Sequence, residues 1–277
     1  MSVTAKAIWY IESHLDSELT LESIAEACGV SRFHLSRAFA ATTGVSLAGY
    51  MRGRRLSEAA RALAQGAPDI LAVALDAGYG SHEAFTRAFR QRFGLTPDQL
   101  RAQAHLDHVS LQEPITMQPP AATPLTPPRV VNSDALLIFG LAERCPSAGN
   151  AGIAAQWNRF LPHFGHIQGQ IGHIAYGVIY NSDDSGNHDY MCGVAVSEFP
   201  AYPPEFTRLR IPAQTYAVFE HRDHISAIAS TWKAIWEHRI TSAGFQALDA
   251  PALERYDERF DGRTGLGGLE IWIPVKS

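Results

Sequence analysis

Apolar residues recur three and four positions apart through most of the first hundred residues. Ile8, Trp9, Ile11 and Leu15 share one helical face, then Leu21, Ile24 and Ala25 share the next. The pattern predicts helices over residues 5–15, 21–28, 31–42, 47–65, 69–77, 81–93 and 98–104. Thr20, Ser31 and Asp69 stand where helix N-caps belong. Gly29 supplies the turn between the second and third helices, because it takes positive φ at no steric cost. Beyond residue 130 the period changes to short apolar runs split by turn residues. Strands are expected over 135–141, 174–181, 190–196, 206–211, 215–220, 253–260 and 268–274, and helices over 153–164 and 225–240. The 206–211 and 215–220 strands are expected to form a hairpin around Pro212. A strand, a helix and two strands therefore occur twice in this half.

Within the helical half the chain repeats itself. Ser31, Leu35, Ser36, Arg37, Ala38, Phe39 and Gly44 are answered by Ser81, Phe85, Thr86, Arg87, Ala88, Phe89 and Gly94. Each unit is a short apolar helix, a glycine turn, then a helix opened by Ser and carrying Arg and Phe. That is the pattern of a helix-turn-helix, whose second helix lies in the DNA major groove. The long helix over 47–65 would hold the two units at a fixed distance. Leu35 and Phe39 form the apolar stripe of the first reader helix, leaving Arg32, Phe33, Ser36 and Arg37 off it.

Charge sharpens this picture. The chain of 277 residues carries a formal net charge of −5, which alone argues against nucleic acid. Between Gly29 and Arg101, however, ten arginines against five carboxylates leave +5. Arginine is the side chain best matched to phosphate and guanine. Residues 105–129 hold Pro114, Pro119, Pro120, Pro124, Pro127 and Pro128, which predicts a semi-rigid tether with one short strand around Val109 to Leu111. Cys28, Cys145 and Cys192 are few and far apart, as expected of buried free thiols in a reducing cytoplasm. No apolar run is long enough for a membrane span, and residues 1–19 lack the features of a signal peptide. A cytoplasmic protein without a membrane partner is expected.

The residues Gly78, Ser81, Phe85, Arg87, Phe89, Phe93, Gly94, Thr96, Pro97 and Arg101 reproduce a run by which residues 5–105 resemble the DNA-binding domain of AraC/XylS-family transcription regulators. The resemblance implies two reader helices in successive major grooves of double-stranded DNA, read by one monomer. It assigns groove contacts to Arg32, Phe33, Ser36 and Arg37 in the first unit and to His82, Glu83, Thr86 and Arg87 in the second. Arg37 and Arg87 could grip guanine O6 and N7 together, or clamp phosphate instead. Glu83 could accept from cytosine N4 or cap its own helix. His82 suits a phosphate or water-mediated contact. Activation would further imply contact with RNA polymerase.

The second half resembles the GyrI-like effector-binding domain. Pro212-Ala213 with Tyr216 to Phe219, the His221 stretch, Thr231-Trp232, the 252–256 run and the 269–274 run carry the likeness. Asp223 departs from it, standing where the family usually has Gly. The whole chain is thus expected to be multidomain. An all-α double helix-turn-helix domain (1–107) is followed by a Pro-rich linker (108–129) and an α+β domain of duplicated β-α-β-β units (130–277). The resemblance implies a cleft for a small amphipathic effector, aromatic or cationic. Glu254 matches the family's pocket carboxylate, and Trp157, Tyr176, Tyr216 and Trp272 are the candidate lining aromatics. A carboxylate among apolar strand residues asks for a cation or donor, and aromatic faces attract cations. Some relatives are thought to hydrolyse or sequester ligands; Glu254 with Glu220 or Glu270 would then be a general base. The histidine pairs 105/108, 163/166 and 221/224 lack a third ligand, so no metal is expected, and no nucleotide or cofactor fingerprint is present.

Overall fold

Seven helices come first, and each opens on a side chain that accepts from its own first turn. Ser2 caps α1 (Val3–Ser13), Thr20 α2 (Leu21–Cys28), Ser31 α3 (Arg32–Thr43) and Ser46 α4 (Leu47–Ala64). Asp69 caps α5 (Ile70–Asp76), Ser81 α6 (His82–Phe93) and Thr96 α7 (Pro97–Gln103). Gly29, at φ 71°, reverses the chain between α2 and α3. The computed structural model describes residues 2–15, 17, 19–116, 126–146, 152–201, 203–262 and 264–276.

The helices divide between two hydrophobic cores. Leu56, Leu63, Ile70, Phe85, Phe89 and Leu100 belong to one, which joins the second helix-turn-helix unit to α4 and α7. Ile8, Ile24, Leu35, Phe39 and Tyr50 belong to another, which continues into Phe219, Trp236, Ile271 and Val275 of the second half. Helix α4 is common to both; its 18 residues span about 27 Å at 1.5 Å per residue.

A partly buried ion cluster around Arg54 ties α1 to α4. The Arg54 guanidinium donates to Glu12 at 2.8 Å and to Glu58 at 2.9 Å, and the Tyr50 hydroxyl donates to Glu12 at 2.6 Å. Burial alone would raise the Glu12 carboxyl, but Arg54 and Tyr50 hold it below the usual range. The segment after α7 straps across α4. Gln112 N donates to Ser57 Oγ at 2.8 Å and Ile115 N to the Tyr50 hydroxyl at 3.2 Å. The short strand expected near Val109 and Leu111 does not form. Those side chains pack on the second unit's core instead, and side chains of α4 take the strap's backbone donors. The central prolines of the expected tether, Pro119, Pro120 and Pro124, lie outside the described residues.

The second half is one antiparallel sheet with helices on its outer face. Its strands are β1 (Arg129–Ser133), β2 (Leu136–Cys145), β3 (Gln170–Tyr180), β4 (His188–Val196), β5 (Thr207–Ile211), β6 (Gln214–His221), β7 (Gln246–Ala247), β8 (Ala252–Tyr256) and β9 (Leu269–Lys276). They run in the order β1-β6-β9-β8-β3-β4-β2-β5, with β7 beside β9. Helix α8 (Ile153–Phe160) follows β2. Helix α9 (Ile228–Ala234) runs through a π turn at Ile235–Arg239 into α10 (Ile240–Ser242).

The hairpin expected around Pro212 is absent. Strand β5 pairs with β2, and β6 pairs with β1 and β9, although only Pro212 and Ala213 separate them. A strongly twisted sheet curls until its ends approach. Here Ile138 and Ile211 meet Tyr216 and Val218 in one inner core. The short link steps across that closure rather than turning back on itself.

Candidate functional site

The pleat decides what each strand offers to the outer face. Glu254 pairs with Gly177 on β3 and with Ile271 on β9, and both lie on the side covered by α8 and α9. The residue is 6% exposed, and its carboxylate meets three donors. Tyr190 donates to it at 2.7 Å, Tyr256 at 3.0 Å and Trp232 Nε1 at 2.8 Å. Trp157 Nε1 donates in turn to the Tyr190 hydroxyl at 3.0 Å. Burial pushes the Glu254 carboxyl up, while these hydrogen bonds pull the other way. No lysine or arginine pairs with it among the described residues. A Cβ on Gly177 would lie 2.3 Å from the Tyr190 hydroxyl and 2.7 Å from Glu254 Oε2, so the box requires glycine there.

The box opens into a cavity of about 880 Å³, inside the size range of small-molecule sites. Ile179 and His188 belong to its strand floor, and Ala229 and Trp236 to its helical side. Of the aromatics expected there, Trp157 lines it and Tyr176, Tyr216 and Trp272 do not. Those three face the inner core, where Tyr216 and Trp272 pack at 5.5 Å between ring centroids. Each lies one position out of phase with the cleft face, since Tyr176 pairs with Arg255, not with Glu254. Tyr190, Tyr256 and Trp232, which are not among the expected lining residues, are the side chains that meet the Glu254 carboxylate. The i,i+2 spacing of Glu254 and Tyr256 on one strand was the available signal. Glu220 and Glu270 also fall on the opposite face, paired with each other and with Arg255, so neither can serve Glu254 as a second acid.

The two reader helices stand in different surroundings. On α6, Arg87 is exposed, and with His82, Glu83, Thr86 and Arg90 it borders an open hollow. Thr86 Oγ1 is buried there without a partner. Glu83 accepts from its own backbone and from Ser81, which holds its carboxyl below the usual range and matches the capping alternative. On α3 the corresponding face is turned toward the sheet domain. Phe33 packs edge-on to Trp236 at 5.6 Å, and His34 Nε2 lies 2.5 Å from the Trp236 carbonyl oxygen. Arg37 donates to the Ser182 hydroxyl. Loss of water brings its guanidinium down to about 10. Ser36 borders the cavity, and Arg32 pairs with Glu22 at 2.9 Å.

The histidine pairs do not assemble metal sites. His221 Nδ1 lies 2.8 Å from Thr231 Oγ1, and its Nε2 lies 3.2 Å from the His224 carbonyl oxygen. Among the described residues no group of three or more His, Cys, Asp or Glu could hold a metal ion. All three cysteines are buried free thiols. No described helix is long and apolar enough to cross a membrane.

Tandem helix-turn-helix units joined to a curled sheet with a helix-walled cleft define a DNA-reading module coupled to a small-molecule-binding domain. Residues 126–276 match the GyrI-like small molecule binding domain, and the chain belongs to that family; residues 24–103 match a helix-turn-helix domain of the AraC type. The chain is 38% identical to the transcriptional regulator Rob of Salmonella typhimurium over 110 residues, 40% of this chain and 38% of that protein. It is 30% identical to the transcriptional regulator BrlR of Pseudomonas aeruginosa over 149 residues, 53% of this chain and 54% of that protein. Against the multiple antibiotic resistance protein MarA of Salmonella typhimurium it is 38% identical over 92 residues, 33% of this chain and 72% of that protein. The matched stretch thus spans about half or less of the length of Rob and BrlR.

Proposed function

We propose that the chain is a sequence-specific transcription regulator whose cleft takes a lipophilic cation as effector. Rob and BrlR, both named as transcriptional regulators, support the first half of this reading. The second half rests on one observation, the Glu254 carboxylate sunk in an aromatic box with three donors. Among the described residues no lysine or arginine is paired to it, and only the charge of a protonated His221 acts on it. A buried anion without a paired charge is costly, and a bound cation offsets that cost. Trp157 and Trp232 also line the cavity, and aromatic rings add attraction for the same charge. Domain bounds of 1–107 and 130–277, and groove contacts by the α3 and α6 side chains, belong to the same proposal.

The test compares two ions of one shape and opposite charge. Tryptophan fluorescence of the full chain is titrated with tetraphenylphosphonium and with tetraphenylborate. The cation is expected to bind at least tenfold more tightly, and Glu254→Gln to remove that preference. Equal affinities for the two ions would sink the cation reading. Activation through RNA polymerase is tested by run-off transcription from a promoter bearing the selected DNA site. Transcript levels that ignore the protein would remove the activator half.

A further inference from the structure

The effector cleft has a wall that the sheet domain does not supply. Phe33, Ser36, Arg37 and Ala40 of α3 border the same cavity as Trp232 and Glu254. Phe33, Ser36 and Arg37 are also side chains proposed to enter the DNA groove. The helix is held there by several independent contacts. Glu237, in the π turn, accepts from Thr42 Oγ1 at one end of α3 and from Thr4 N of α1 at 3.3 Å. Ser31 Oγ donates to the Ala247 carbonyl at 3.4 Å, and His34 is bound to the Trp236 carbonyl. Beneath them the first unit and the sheet domain share a continuous apolar core. No described residue of α6 borders this cavity, and the core of the second unit is separate.

We infer that DNA and effector compete for one face of α3: the helix completes the effector site when docked and reads the major groove only when released. The inference rests on the cleft reading above. A helix inserted in the groove must present its side chains to base edges, and in the docked arrangement Phe33 faces Trp236 while Arg37 is bound to Ser182. A ligand filling the cavity gains the α3 wall only in the docked state, so it favours that state. Arg37 lines the cavity beside Ser182 and His188, so its like charge opposes part of this gain. The carboxylate box lies two β4 positions further along, at Tyr190, where the opposite charge of Glu254 is met. Linkage then requires the two ligands to weaken each other by the same factor.

The experiment measures both directions on the full chain, using a double-stranded fragment that the protein selects in the absence of ligand. Saturating tetraphenylphosphonium is expected to weaken DNA binding at least tenfold and to shrink a two-groove footprint to the groove occupied by α6. Saturating DNA should weaken tetraphenylphosphonium by the same factor. Phe33→Ala should lower affinity for the cation several-fold with no DNA present. Glu237→Ala, which touches neither the cavity nor the proposed groove contacts, should lower it too and diminish the competition. Cation binding that leaves DNA affinity unchanged or raised would overturn the inference while the cleft reading stands. An unchanged cation affinity in Phe33→Ala would also overturn it. No binding of tetraphenylphosphonium at all would remove both.

Discussion

At the scale of the residue, the site turns on parity and partnership more than on residue type. Glu254 was singled out because the family resemblance implies a pocket carboxylate there, and Trp157 as one of four candidate lining aromatics; the structure sets both beside the cavity. Tyr176, Tyr216 and Trp272 look equally suitable on paper. A pleat sends alternate side chains to opposite faces, and nothing in the sequence says which face holds the cleft. Arg37 and Arg87 present the same contrast, since the repeat makes them equivalent and the structure does not. Arg87 is exposed on α6, so Arg87→Ala should cost about 1–3 kcal/mol of discrimination at a single base position. Competition with singly substituted operators measures this; uniform weakening on every sequence would make Arg87 a phosphate clamp.

At the scale of the element, the helices were legible almost to their ends, because Ser, Thr and Asp caps mark where each begins. What the arginine tally concealed is that several of those cations belong to the scaffold. Arg54 is buried between Glu12 and Glu58, and Arg61 pairs with Glu58 at 2.7 Å and with Glu113 at 2.6 Å. A run of positive charge on a helix does not by itself distinguish a groove contact from a brace. Removing Arg54 leaves Glu12 with the Tyr50 hydroxyl alone, while Glu58 keeps Arg61. Arg54→Ala should therefore destabilise the chain by about 1.5–3 kcal/mol, the worth of hydrogen bonds to a charged group. Arg54→Lys should recover little, because an ammonium cannot make the forked contact to Glu12. Urea midpoints of the three proteins provide the check, and a near-normal midpoint for the alanine variant would contradict the bracing role.

For the whole molecule, the sequence suggested a reader and a sensor joined by a tether, and the two families of element were plain from the change of period. The contact between them was not, because the apolar positions that build it read as ordinary core of their own half, whereas the structure joins them in one continuous core. Titration offers a probe of that contact. Burial lowers the His34 imidazole, with the Trp236 carbonyl and Glu237 opposing it. Burial brings His188 to about 4, helped by Arg37 and Arg144 and opposed by the Gly186 carbonyl and Asp189. Both bind protons less readily when folded, so their contribution to stability is full above about pH 6.5 and declines as the pH falls toward about 4. Glu254, raised by burial, works in the opposite sense. The measurement is thus a comparison of slopes: the urea midpoint of a His34→Gln, His188→Gln double variant should fall less between pH 7 and pH 5 than that of the parent chain. Parallel slopes would show that neither histidine is linked to folding.

The core that joins Ile8 and Leu35 to Ile271 and Val275 also sets an order of events during synthesis. Helices α1 to α3 leave the ribosome and meet one another well before β9 emerges. Until it does, the part of their shared core that β9 covers lacks its native neighbour, and a chain stalled before that point exposes it to aggregation.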